Sequence, residues 1–160
     1  MWCVGEIVAP SLGPTRTEED FANHIEQTIQ EDPEARYVFV ADNLNIHCSE
    51  TLVKLVARLC ESEEDLGKKG KSGVLKSVKT RQEYLSDLEH RIRFVYTPKH
   101  TSWLNQIEVI FGVIMRKVIR RGNFTSVEDL KSKLVAFIDY FNQVFAKPFK
   151  WTYTGRPLQA

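Results

Sequence analysis

Tyr37-Val38-Phe39-Val40-Ala41-Asp42-Asn43 is the stretch whose reading decides the fold. Apolar, β-branched and aromatic residues run on without interruption and then stop at two polar ones. After a turn at Asp32-Pro33, such a run predicts a short strand buried on both faces, as in a parallel or mixed sheet beneath helices. Upstream, Thr17 offers an N-cap followed by Glu18-Glu19-Asp20, and Phe21, Ile25 and Ile29 form one apolar stripe. This predicts a helix to about Glu31. Downstream, Leu52, Leu55, Val56 and Leu59 share one face of a helix expected from about Ser49 to Cys60.

Further from the centre, Trp2 to Val8 reads as a strand. It begins so close to the first residue that a missing upstream portion is expected. Residues 62–90 change in character: Gly67-Lys68-Lys69-Gly70-Lys71-Ser72-Gly73 is a basic, glycine-punctuated loop, and a weak helix is expected from Thr80 to Leu88. The whole stretch reads as a surface insertion. Arg91 to Tyr96 alternates as a strand does, and Pro98 ends it. A long helix is expected from about Ser102 to Arg121, stopped by Gly122-Asn123. A second runs from about Val127 to Phe145, capped by Thr125 or Ser126. Strands alternating with helices make the fold class α/β.

The net charge of +1 conceals a division. Residues 1–65 carry 4 basic and 14 acidic side chains, and residues 66–160 carry 18 and 7. A basic half of that strength suits a polyanionic partner, although two oppositely charged solvated faces would give the same totals. The composition, 42% hydrophobic and 11% aromatic, is that of a globular chain rather than a disordered one. No apolar run approaches the roughly 20 residues of a membrane span, and Glu6 interrupts the opening apolar stretch that a signal peptide would need. Cys3, Cys48 and Cys60 show no CxxC spacing, which points to reduced thiols in a cytosol and away from a zinc site or a disulfide scaffold. Phosphate-loop, dinucleotide, HExxH and GxSxG motifs are absent from the sequence. His47 and His100 read as surface or packing histidines, and Trp103 as core.

Two carboxylates stand out. Asp42 lies at the carboxyl end of the strongest strand, where ligands of α/β sheets bind, although Asp-Asn is also ordinary turn chemistry. Glu108 falls at the edge of the apolar arc formed by Leu104, Ile107, Phe111, Ile114, Met115 and Val118 on the long helix. Arg116 and Arg120 lie on the neighbouring polar flank and Lys117 further round. That position suits either a carboxylate looking into a cleft between helix and sheet or an ordinary boundary glutamate. Carboxylates on separate elements suit hard divalent cations, and two such ions can drive phosphoryl transfer. A two-metal site ordinarily needs at least one more carboxylate. Asp20 and Asp32 read as helix-start and turn residues.

The words of the sequence add a family. Val40-Ala41-Asp42-Asn43-Leu44-Asn45-Ile46-His47 resembles the second-aspartate motif of mariner-superfamily DDE transposases, in their bacterial insertion-sequence branch. Tyr96-Thr97-Pro98-Lys99-His100-Thr101-Ser102-Trp103-Leu104-Asn105-Gln106-Ile107-Glu108 resembles the third-acid motif of the same family. Arg116-Lys117, Arg120 through Ser126, and the basic-aromatic tail Lys147 to Tyr153 fit as well. The resemblance implies an RNase H-like catalytic core and an acidic triad holding two Mg2+ or Mn2+ ions. It also implies cutting of DNA at transposon ends followed by joining to target DNA. Asp42 matches the second acid and Glu108 the third. The DNA-binding residues implied are Lys99, His100, Arg116, Lys117, Arg120 and Arg121.

The first acid belongs on the first strand of such a fold, and Trp2 to Val8 matches the third. The expectation is a single C-terminal portion of the catalytic domain, residues 1–160, truncated and inactive alone, with the insertion at 62–90. An upstream polypeptide carrying the first acid would complete it, that polypeptide or a second copy of the chain would be its protein partner beside DNA, and it would sit in the bacterial cytoplasm with the nucleoid. The alternative is a non-catalytic DNA-binding or regulatory remnant, with the loop from Lys68 to Arg81 among its phosphate contacts.

Overall fold

The computed structural model describes residues 5–98 and 107–146, and the backbone of two short strands, β1 (Trp2–Cys3) and β4 (Phe149–Lys150). Between these lie α1 (Glu18–Gln30), β2 (Tyr37–Ala41), α2 (Glu50–Leu59), α3 (Val78–Leu85), β3 (Ile92–Tyr96), α4 (Ile107–Ile114) and α5 (Val127–Val144). The elements form two compact units, Ser11–Phe111, and Met1–Pro10 with Gly112–Ala160.

The first unit is built on β2 and β3, which pair in parallel from Tyr37 opposite Ile92 to Ala41 opposite Tyr96. Alternation sends Tyr37, Phe39, Ala41, Ile92, Phe94 and Tyr96 to one face. There the rings stack in series: Tyr37 on Phe39 at 5.7 Å, Phe39 on Phe94 at 5.1 Å, Phe94 on Tyr96 at 6.4 Å. Ala22, Ile25 and Ile29 of α1 and Leu52, Val53 and Val56 of α2 share the core on that face with Phe94, which is fully buried. Each such large side chain contributes about 1.5–3 kcal/mol of burial.

The opposite face differs from expectation. Val38 and Val40 are 52% and 56% exposed, and Val95 is 41% exposed. A continuous apolar run does not distinguish one covered face from two, and β2 is covered on one.

The helices begin where their caps predict. Thr17 and Asp20 form a reciprocal capping box at the start of α1, and the Ser49 side chain accepts from the Leu52 N–H at the start of α2. Residues 62–90 are not confined to the surface. Val74, Leu75, Tyr84 and Leu85 are buried in the same core as α1 and α2, and α3 starts at Val78, capped by Ser77, rather than at Thr80. The loop before them closes through a bridge between Lys68 and Ser72. It requires glycine at 67 and 73, where φ is positive and a Cβ would strike backbone atoms within 3 Å.

In the second unit, β1 pairs antiparallel with β4. Of the strand expected over Trp2 to Val8, Trp2–Cys3 is regular and residues 5–8 are not. At Ile7 the Asn142 side chain of α5 takes the place of a partner strand, accepting from the Ile7 N–H and donating to its carbonyl, both at 2.9 Å. The long helix expected to reach Arg121 changes pitch. α4 gives way at Met115–Ile119 to a π-turn, closed by the Arg120 N–H donating to the Met115 carbonyl at 2.9 Å.

Candidate functional site

The end of β2 is held by a connected set of short contacts. Asp42 follows the last strand residue, and its side chain is 33% exposed. Its Oδ1 accepts from the Leu44 N–H at 3.1 Å, an Asx-type turn. The same oxygen lies 2.6 Å from His47 Nδ1, which also approaches the Asp42 carbonyl at 3.3 Å. The chain makes this possible by turning into a 3-10 helix, Asn45–Cys48, which brings His47 back over Asp42. No hydrogen bond to Asp42 Oδ2 is found among the described residues.

His47 is itself fixed from two other elements. Its ring packs on Phe21 of α1 with centroids 4.4 Å apart. Its carbonyl accepts from the Tyr96 hydroxyl, at the end of β3, at 2.8 Å. Burial above all, then the nearby Cys48 sulfur, pushes the Tyr96 phenol well above its ordinary value of 10.0, so it remains a donor.

The neighbouring strand ends are also tied. The parallel pairing extends one step beyond β3, with the Thr97 N–H donating to the Ala41 carbonyl at 2.9 Å. The Asn43 amide donates to the Thr97 carbonyl, and Gln82 of α3 donates to the Asn43 side-chain oxygen at 3.1 Å. The two stretches singled out in the sequence, one around Asp42 and one beginning at Tyr96, therefore meet at their strand ends.

Glu108 lies in the first turn of α4 and is exposed, as are Ile107, Val109, Phe111 and Met115. No hydrogen bond or ion pair joins Glu108 to Asp42 among the described residues. Lys99, His100, Trp103 and Leu104 lie outside the described residues. Arg116, Lys117, Arg120 and Arg121 are exposed and belong to the second unit.

Arg81, expected among the phosphate contacts, is buried. Its Nε donates to the Cys48 carbonyl at 2.7 Å and its Nη1 to the Leu75 carbonyl at 3.4 Å, so it joins the turn after Asp42 to the residues before α3. Lys69 lies between Glu18 at 3.9 Å and Glu50 at 3.8 Å. Lys69 is exposed, as are Lys68, Lys71, Lys76 and Lys79. Cys48 is fully buried and burial raises its thiol pKa, the opposite of what a thiolate metal ligand needs.

The family model for the DDE superfamily endonucleases matches residues 5–131, which include both Asp42 and Glu108. The chain belongs to this family. A DDE-type transposase domain acts on DNA, and the family implies an RNase H-like α/β fold, with which the parallel β2–β3 pair beneath α1 and α2 is compatible. Neither the curated proteins nor the solved structures compared with the chain give a match.

The DDE family uses divalent metal ions, so the end of β2 can be tested as a place for one. Asp42 passes on chemistry and on geometry. A carboxylate is the oxygen ligand that magnesium and manganese prefer, and one of its oxygens is committed to protein donors while, among the described residues, the other is not. Glu108 passes on chemistry, as an exposed carboxylate. Among the described residues no group of three or more His, Cys, Asp or Glu side chains is placed to hold a metal. Sequence reasoning missed His47 as a neighbour of the site. The signal available was its place five residues after Asp42, across Asp-Asn turn chemistry.

Proposed function

We propose that the chain is transposase catalytic-domain sequence of the mariner superfamily, insertion-sequence branch, in which Asp42 and Glu108 serve as metal-binding acids for phosphoryl transfer on DNA. The observation that carries this reading is the state of Asp42. It stands at the carboxyl end of a parallel strand, with one oxygen held by Leu44 and His47 and the other outside that pairing. A purely structural turn aspartate needs only the Leu44 contact.

A bound divalent cation supplies Lewis acidity, polarising phosphoryl oxygen and activating the attacking oxygen. Asp42 and Glu108 would hold it through carboxylate oxygens. Arg116, Lys117, Arg120 and Arg121 would neutralise backbone phosphates and position the duplex without reading bases, and Lys99 and His100 belong to the same proposal. Cutting at transposon ends, then joining the freed ends to target DNA, is the corresponding reaction.

The test combines two measurements on the whole chain. Asp42→Asn and Glu108→Gln are each expected to weaken Mn2+ binding. Cleavage of DNA carrying the element's ends is expected only when both carboxylates are present in the assembled site. Mn2+ affinity unchanged in both variants would overturn the assignment.

A second reading, a DNA-binding module without catalysis, is favoured by the exposure of four cations between Arg116 and Arg121. Salt-sensitive DNA binding with no Glu108-dependent cleavage under any condition would favour it over the first.

A further inference from the structure

The geometry points to His47 as the residue that orients Asp42 for metal binding, by holding Oδ1 so that Oδ2 is the oxygen presented to the cation. This rests on Asp42 being a metal ligand, and goes beyond it by assigning a role to a histidine that the sequence marks as ordinary packing.

The argument begins with the 2.6 Å separation of His47 Nδ1 and Asp42 Oδ1. At that distance a proton lies between them, and an ionised carboxylate can only accept, so Nδ1 is the donor. The Leu44 N–H adds a second donor to the same oxygen at 3.1 Å. Two donors converging on Oδ1 fix the rotation of the carboxyl plane, which a single turn contact does not do.

The imidazole is not free to drift away from this task. Its ring is stacked on Phe21, its backbone is held by the Tyr96 hydroxyl, and its side chain is 17% exposed. Those contacts come from α1 and β3, so the position of His47 is set by the packed sheet as well as by its own turn. A histidine wanted only for packing would satisfy Phe21 equally well with Nδ1 turned elsewhere. Outer groups of this kind, which orient a metal-binding carboxylate without touching the ion, commonly set metal affinity by an order of magnitude or more.

The test separates the donor from the ring. His47→Phe keeps an aromatic ring against Phe21 and removes the donor. His47→Asn keeps an N–H near the Nδ1 position and removes the ring. With the whole chain, Mn2+ binding is followed by paramagnetic broadening of backbone amide signals around Asp42, and folding by circular dichroism. His47→Phe is expected to weaken Mn2+ binding by about 10- to 100-fold with an unchanged fold, and His47→Asn to recover most of that loss. In the metal-free wild-type chain, nitrogen shifts are expected to show His47 protonated at Nδ1, and Asp42→Asn to disturb that signature. Wild-type affinity in His47→Phe, or His47→Asn no better than His47→Phe, overturns the role of His47 while leaving Asp42 as a ligand. No broadening near Asp42 in the wild-type chain at millimolar Mn2+, or broadening that survives Asp42→Asn, overturns the metal-ligand reading and this inference with it.

Discussion

The Tyr96 hydroxyl donates to the His47 carbonyl at 2.8 Å, which ties the end of β3 to the turn that follows β2 and Asp42. The two strands therefore share more than their ladder. One is followed directly by the candidate acid, and the other ends in the residue that steadies the acid's neighbour.

Tyr96→Phe deletes that bond and leaves the His47 carbonyl without this donor. The expected loss is about 1–3 kcal/mol at neutral pH, read by urea denaturation. The same variant has an alkaline signature. Burial is the main reason that the phenols of Tyr96 and Tyr84 titrate above their ordinary value of 10.0. Below that value both states keep the proton, and the stabilisation is fully present. Above it the unfolded chain sheds protons that the folded chain retains, so stability falls as pH rises toward the folded pKa. Tyr96→Phe is expected to melt with a shallower decline above pH 10 than the wild type. An equal slope in both would contradict the burial of this phenol.

Arg81 fastens the turn after Asp42 from the side of α3 through its bonds to Cys48 and Leu75. Arg81→Ala should cost about 2–3 kcal/mol, because charge-assisted bonds to buried carbonyls are lost together. Arg81→Lys should recover little of it, since a single ammonium does not reproduce the fork of the guanidinium. Denaturant midpoints of the three proteins decide this. Full recovery by lysine would show that charge alone matters there.

Leu85 is fully buried on α3, within a stretch whose sequence reads as surface. Leu85→Ala is expected to destabilise the chain by about 2–5 kcal/mol, comparable with Leu52→Ala on α2. A loss of a few tenths, typical of surface positions, would return residues 62–90 to the periphery.

The exposed cations give a prediction in salt. If Arg116 and Arg120 contact phosphates, the affinity of the chain for duplex DNA falls steeply as salt rises, on a log–log scale. Arg116→Ala with Arg120→Ala should lower that slope by about 2, roughly one for each lost contact. Affinity that is indifferent to salt would sink the proposal for this face, whichever reading of the function holds.

Much of the fold was legible in local pattern. Thr17 caps its helix as the sequence predicts, Ser126 is the one of the two candidates that caps α5, α2 begins beside Ser49 as expected, and the stripes of α1 and α2 are buried as their spacing requires. The strands at Tyr37–Ala41 and Ile92–Tyr96 were visible, the first as an apolar run and the second as an alternating pattern. What misled was context. Val38 and Val40 are as apolar as Phe39, yet the structure leaves them exposed. Hydrophobicity records that a side chain favours burial and not whether a neighbour covers it. Ile7 belongs to an apolar segment that reads as a strand, but its backbone bonds go to an asparagine side chain 135 residues away.

The site divides in the same way. The candidates Asp42 and Glu108 follow from sequence, by position after an apolar run and by the motifs around them, and the family match covers both. Helix starts, strand identity and these motifs depend on residues within a few positions of one another, so one chain is enough to determine them. Only the tertiary structure decided that Asn43 meets Thr97 across 54 residues, that Arg81 turns inward to the carbonyl of Cys48 across 33, and that His47 is clamped by Tyr96 across 49. Local preference carries no information about which distant polar groups become neighbours. Packing brings them together, and once buried they must be hydrogen-bonded.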